Sequence, residues 1–240
     1  MENWNPWYGC HKCSEGCKNC YLESLNKLYD KDFNEVRYSS SNFRKLWKKD
    51  EYRDFIIPAG EIINVCETSD FFIEEGDDWR AEAWKMIKDR DDLTFIINTR
   101  RVERIEDSLP SNWGDGYDNV YIYLNIDNQK SINEKLPIFK NLKLKHKAIN
   151  ISPILEKIDI ENFLDDSIES VSVFGEYGRG SRICNFEWVK DLREQCIRKN
   201  INFYFKSTGT NFLKDGQKYF IKNNQMKEQA EKANLDYIIK

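Results

Sequence analysis

Histidine is nearly absent from this chain, with two in 240 residues, which leaves little room for imidazole-based metal or acid–base chemistry. No run of about 18 apolar residues occurs, so no segment reads as a membrane-spanning helix. The N-terminus Met1-Glu2-Asn3-Trp4-Asn5-Pro6 is short and polar. Without an apolar leader, the expected location is the reducing cytoplasm. No Gly/Ser-rich or low-complexity stretch divides the chain, which therefore reads as one domain, 1–240, closed by a polar helix or tail over 223–240. Nor does one sign of charge dominate: 37 Lys plus Arg stand against 41 Asp plus Glu, a formal net charge of −4. Strong binding to duplex nucleic acid by phosphate neutralisation is not expected.

Cysteine, by contrast, is concentrated. The stretch Gly9-Cys10-His11-Lys12-Cys13-Ser14-Glu15-Gly16-Cys17-Lys18-Asn19-Cys20-Tyr21 holds four of the seven cysteines within eleven residues. Thiols so close either pair as disulfides in an oxidising compartment or hold a metal, and with no secretion signal the metal reading is preferred. A structural zinc held by Cys10, Cys13, Cys17 and Cys20 is one form of it. Such sites usually space their two Cys pairs by roughly a dozen residues or more, whereas three residues separate Cys13 from Cys17. Cys66, Cys184 and Cys196 fall on apolar patterns and read as core thiols; His11 and His146 read as surface residues.

Hydrophobic periodicity gives the rest of the architecture. Trp4–Tyr8 reads as a first strand, followed by the cysteine loop and a helix from Lys18 to about Asp32. Apolar strands at 61–66, 93–98, 119–126, 147–151, 170–174 and 201–205 alternate with helical patterns marked by Trp79, Ala83, Met86 and Ile87, by Ile132 to Leu142, and by Phe186, Val189, Leu192, Cys196 and Ile197. Alternation of this kind calls for a parallel sheet with right-handed crossovers. The expected fold is α/β, a partial (β/α) TIM-like barrel with the cluster loop after the first strand.

Cys13-x-x-x-Cys17-x-x-Cys20, with the aromatic Tyr21 directly after it, resembles the three-cysteine motif of the radical S-adenosylmethionine (SAM) superfamily. More narrowly, Trp4-Asn5-Pro6-Trp7-Tyr8-Gly9-Cys10 and Ser14-x-Gly16-Cys17-x-x-Cys20-Tyr21 are similar to the head of a phage and bacterial protein family of unknown function. The stretches Ser69-Asp70-Phe71-Phe72, Thr99 to Arg104, Gly175-Glu176-x-Gly178 and Phe203 to Lys206 follow in that family's order. The resemblance implies a [4Fe-4S] cluster held by three thiolates, with SAM chelating the fourth iron. It also implies a flavodoxin- or ferredoxin-like external one-electron donor, and a small-molecule or nucleotide substrate whose identity stays open. Cys17 and Cys20 are ligands under both patterns. The third is Cys13 by the superfamily spacing and Cys10 by the family pattern, which usually carries an aliphatic residue where Cys13 stands.

Side chains at the C-terminal ends of barrel strands form the active site. That rule selects Glu67, Ser69 and Asp70 after the second strand, Asn98 and Arg101 after the third, Asp127 and Asn128 after the fourth, Glu176 after the sixth and Lys206 after the last. Glu67 and Ser69 stand where the superfamily binds the SAM amino group, and Asp127 with Asn128 where it contacts the ribose; strand-end polar residues also serve as helix caps and turn formers. The glycine-rich, basic loop Gly175–Arg182 is suited to cradling a phosphate or carboxylate but lacks the Gly-Lys-Ser/Thr ending of a P-loop. Candidate catalytic residues are accordingly Lys206, Glu176 and Arg182. Candidate cofactor-binding residues are Tyr21, Glu67, Ser69, Asp70, Asn98, Asp127 and Asn128. Two rivals remain: a zinc-stabilised binding module without catalysis, and a cluster enzyme of nucleic-acid modification or repair.

Overall fold

The computed structural model describes residues 1–178 and 180–239; Arg179, within the glycine-rich loop, and Lys240, at the end of the expected tail, lie outside the described residues. The strands are β1 (Glu2–Trp4), β2 (Trp7–Tyr8), β3 (Arg37–Tyr38), β4 (Ile62–Val65), β5 (Thr94–Thr99), β6 (Val120–Ile126), β7 (His146–Ile151), β8 (Ser170–Phe174), β9 (Cys184–Asn185), β10 (Asn202–Ser207), β11 (Asn211–Lys214) and β12 (Gln217–Phe220). The helices are α1 (Tyr21–Leu28), α2 (Asp77–Asp89), α3 (Gln129–Asn141), α4 (Phe186–Arg198) and α5 (Met226–Lys232). The protein is mixed α/β, and its largest sheet has seven strands in the order β1-β4-β5-β6-β7-β8-β10. The pairs β1/β4, β4/β5, β7/β8 and β8/β10 are parallel. No described helix is long and apolar enough to cross a membrane.

The chain folds into two compact units, one made of Met1–His11, Leu22–Tyr123 and Leu142–His146, the other of Lys12–Tyr21, Leu124–Asn141 and Lys147–Lys240. In the first unit α2 buries Ala83, Trp84, Met86 and Ile87, each large side chain contributing about 1.5–3 kcal/mol by leaving water. Trp84 packs edge-on against Phe71, which stacks on Trp7, and meets Trp113 on its other flank. Arg90, with no exposed surface, donates to the Leu46 and Ile57 carbonyls and to Asp92. A charge this deep persists because its donors are satisfied.

In the second unit α4 turns Phe186, Val189, Leu192 and Cys196 inward, and the Asn185 side chain caps it by accepting from the Glu187 N–H. A second sheet, ordered β12-β11-β9, flanks it. Its β11–β12 hairpin closes on Asp215-Gly216, both with positive φ (51° and 74°), as a type I′ turn requires. The expected C-terminal helix is present only as α5; beyond it Tyr237 pairs with Phe203 as a single β-bridge.

The first expected strand is split. Pro6 lies between β1 and β2, with its carbonyl accepting from Ser39 N–H. Consequently β1 joins β4 in parallel while β2 pairs antiparallel with β3. The helix expected from Lys18 begins only at Tyr21, because Glu15–Cys17 forms a separate 3₁₀ turn.

Candidate functional site

In the first unit the site begins at Gly9. Its φ is +89°, and a Cβ there would lie 2.2 Å from the Glu35 carbonyl oxygen, so only glycine fits. Backbone hydrogen bonds from Gly9 to Thr68 and from Cys10 to Phe33 hold the strand exit, and the Ser69 hydroxyl donates to the Gly9 carbonyl. The Asp70 carboxylate, 5% exposed, accepts from the Thr99 hydroxyl, the Phe72 and Arg100 N–H groups and Arg101 Nη1. Arg101 in turn donates to the His11 carbonyl at 2.9 Å and stands 3.8 Å from Cys10 Sγ. This brings positive charge to a sulfur that as a thiolate ligand would carry negative charge. His11 itself contacts Glu75.

Behind that exit Cys66 is fully buried with a left-handed φ of 58°, and burial, reinforced by the nearby Asp70 charge, pushes its thiol well above the usual range. It is thereby held as a neutral core thiol, as are Cys184 and Cys196, which burial pushes up to about 12. Glu67 is half-buried, and burial raises its carboxyl. Asn98 sits half-buried on β5.

In the second unit the rest of the cysteine stretch is anchored by two acids. The Gly16 N–H donates to Asp127 Oδ2 at 2.8 Å. The Glu176 carboxylate, 5% exposed, accepts from the Arg182 backbone N–H (2.6 Å), Arg182 Nε (3.0 Å), Arg182 Nη2 and Asn19 Nδ2 (3.0 Å). Arg182 Nη2 also donates to the Glu15 carbonyl. Burial alone would raise the Glu176 carboxyl; the hydrogen bonds from Arg182 and Asn19 outweigh it, and the net shift is downward. The Glu176 loop approaches Gly209 so closely that a Cβ there would lie 2.6 Å from the Glu176 carbonyl oxygen. Ser14 Oγ lies 3.4 Å from Cys17 Sγ.

Asn128 is the N-cap of α3, its side chain accepting from the Ser131 N–H at 2.8 Å. Lys206 is exposed, with Nζ 4.1 Å from the Tyr204 ring centre. Tyr21 is exposed and meets Tyr177 edge-on. The geometry thus gives Asp70, Asp127, Glu176 and Arg182 anchoring contacts around the cysteine stretch. Two more residues share that work: Arg101, which the strand-end rule selected, and Asn19, for which nothing in the sequence gave a signal.

Of the four cysteines of the stretch, Cys10, Cys17 and Cys20 are half-buried and Cys13 is exposed. Among the described residues no three His, Cys, Asp or Glu side chains stand close enough together to hold one ion. Residues 1–237 match the family described as a protein of unknown function, DUF5131. No curated protein and no solved structure matches the chain.

Proposed function

The chain belongs to the DUF5131 family, and we propose that it is an iron-sulfur enzyme of the radical SAM type, built on a partial (β/α) barrel. The observation that carries this reading is the set of partly accessible thiols from Cys10 to Cys20, on a stretch fastened in one unit to the Arg101 guanidinium and in the other to the buried Asp127 and Glu176 carboxylates. The donor set fits a cluster by its chemistry: sulfur ligands without disulfides, and a guanidinium beside Cys10. Thiolates repel one another, so gathering them is work that metal binding itself performs.

Cys17 and Cys20, with Cys10 or Cys13, would hold the cluster. When bound, the cluster and SAM would supply one-electron chemistry for taking hydrogen from an unreactive carbon. The chain's own contribution is to bind and shield. Glu67 and Asn98 offer a carboxyl and an amide to SAM polar groups, Tyr21 flanks the last cysteine, and the exposed Lys206 ammonium offers a counter-charge to an anionic substrate. Asp70 and Glu176 have their carboxylate oxygens committed to Arg101 and Arg182, and in this reading they position the stretch. A flavodoxin- or ferredoxin-like protein would deliver the electron.

The test is anaerobic purification and reconstitution. About four irons per chain, a brown colour and saturable SAM binding are expected. Stoichiometric zinc in colourless protein would replace this reading with the zinc module.

A further inference from the structure

Three segments of the second unit lie side by side and share an exposed surface. The 18–21 segment touches the 176–180 segment through Asn19, which donates to Glu176 and to the Gly180 carbonyl, and through the Tyr21–Tyr177 ring contact at 6.1 Å. The 176–180 segment touches the hairpin region through Gly178 N–H to Thr210 Oγ1 and through Asn223 Nδ2 to the Tyr177 hydroxyl at 2.6 Å. Phe220 stands opposite Asn211 in the hairpin register, and the Asn211 side chain reaches the Ser181 carbonyl. Phe220 therefore projects from the hairpin face that meets the 176–181 loop.

This surface carries three aromatic rings in the open: Tyr21 is 48% exposed, Tyr177 45% and Phe220 72%. It also carries Lys18, Lys218 and Lys222, all exposed. Several lysines elsewhere in this chain have a carboxylate beside them, as in Lys27–Glu23, Lys85–Asp89, Lys190–Glu187 and Lys232–Glu228. None of the ion pairs among the described residues involves Lys18, Lys218 or Lys222. Exposed rings with uncompensated ammonium groups between them suit one kind of ligand, flexible and polyanionic with flat faces.

We infer that this surface binds single-stranded nucleic acid, with bases stacking on Tyr21, Tyr177 and Phe220 and phosphates meeting Lys18, Lys218 and Lys222. Duplex is disfavoured, because its bases are already stacked on each other and the net charge of −4 gives no broad attraction to phosphate. The inference is independent of the cluster: it concerns binding alone and holds whether or not the thiols carry iron.

The test uses the full chain and fluorescence anisotropy with a labelled oligothymidine of about twelve nucleotides, compared with a duplex of equal length. Preferential binding of the strand is expected, with a slope of log K against log salt of about −2 for three phosphates. Tyr177→Ala and Phe220→Ala should each weaken binding about 5- to 100-fold. Tyr177→Phe, which keeps the ring and loses the hydroxyl bond to Asn223, should bind as the parent does; this separates stacking from damage to the loop. Lys218→Gln with Lys222→Gln should flatten the salt slope, and Lys190→Gln, on α4, should leave it unchanged. Equal affinity for duplex and strand, or aromatic variants that bind like the parent, would overturn the inference. Displacement of the strand by an equal charge of polyglutamate would assign the surface to an acidic protein partner instead.

Discussion

Replacing Glu176 by Gln keeps shape and volume and removes one negative charge from a position where the carboxylate accepts four hydrogen bonds. In either orientation the new amide N–H₂ faces a donor of Arg182, and at the Oε2 position Asn19 as well, so at least one bond is lost and the guanidinium faces no carboxylate. Breaking a fully buried pair costs about 3–5 kcal/mol. Arg182 keeps 28% of its side chain exposed, so part of its charge regains water. A loss of about 2–3 kcal/mol is expected, near the value for a hydrogen bond to a charged group plus one orphaned donor. For a chain of this length that corresponds to a fall in Tm of roughly 4–12 °C, read by thermal denaturation. A second readout is local. Asn19 and Glu15 are the points where Glu176 and Arg182 grip the cysteine stretch, so Cys17 and Cys20 should react several-fold faster with a thiol reagent at temperatures well below Tm. Arg182→Lys restores a cation without the second hydrogen bond and should fall between the parent and Glu176→Gln. A Glu176→Gln protein with unchanged Tm and unchanged thiol kinetics would refute the anchoring role.

Cys17→Ala and Cys20→Ala should each abolish iron uptake, and Cys10→Ala should abolish it while Cys13→Ala does not, since Cys10 is half-buried beside Arg101 and Cys13 is exposed; loss of iron in all four variants would make every thiolate a ligand and remove the open iron. On the acid side, the hydrogen bond from Lys140, then that from Ser167, holds Asp165 at about 2. A lowered carboxyl gives stability that is present above the unfolded value of about 3.9 and is lost as pH falls toward 2. With Asp165 43% exposed, solvent screening limits this to less than about 1 kcal/mol. Denaturation of Lys140→Met beside the parent should show a difference at pH 7 that closes by pH 2; a constant difference would mean packing and not charge.

The strand and helix order was legible because each element carries its own apolar period. In β5 the buried Phe95, Ile97 and Thr99 alternate with half-buried Thr94, Ile96 and Asn98, and β6 alternates in the same way. Parallel strands buried on both faces read as continuous apolar runs; here the Asn, Thr and Tyr of the alternation mark a second, more polar face that the apolar reading passed over. The β11–β12 hairpin was missed although Asp215-Gly216 is the short turn signal such hairpins use, because its strands Asn211–Lys214 and Gln217–Phe220 are four residues each, too short to show a period.

The candidate site was legible only in part, for a physical reason that Asp70 and Glu176 share. The strand-end rule selects both, and both do lie beside the cysteine stretch, but a rule about position in sequence says nothing of which way an acid's lone pairs are spent. Asp70 is tied to Arg101 and Glu176 to Arg182, and each guanidinium also holds a backbone carbonyl of the stretch, His11 in one unit and Glu15 in the other. A planar fork with several donors can grip a carboxylate and a carbonyl at once; an ammonium of the same charge, a point donor on a flexible stem, holds such paired acceptors less rigidly. Arginine at these two positions is therefore explained by geometry more than by charge. A stretch whose ligands must stay accessible cannot be fixed by burying the thiols themselves. Buried acid–arginine pairs beside it hold its backbone while Cys10, Cys17 and Cys20 remain only half-buried, open to an incoming metal.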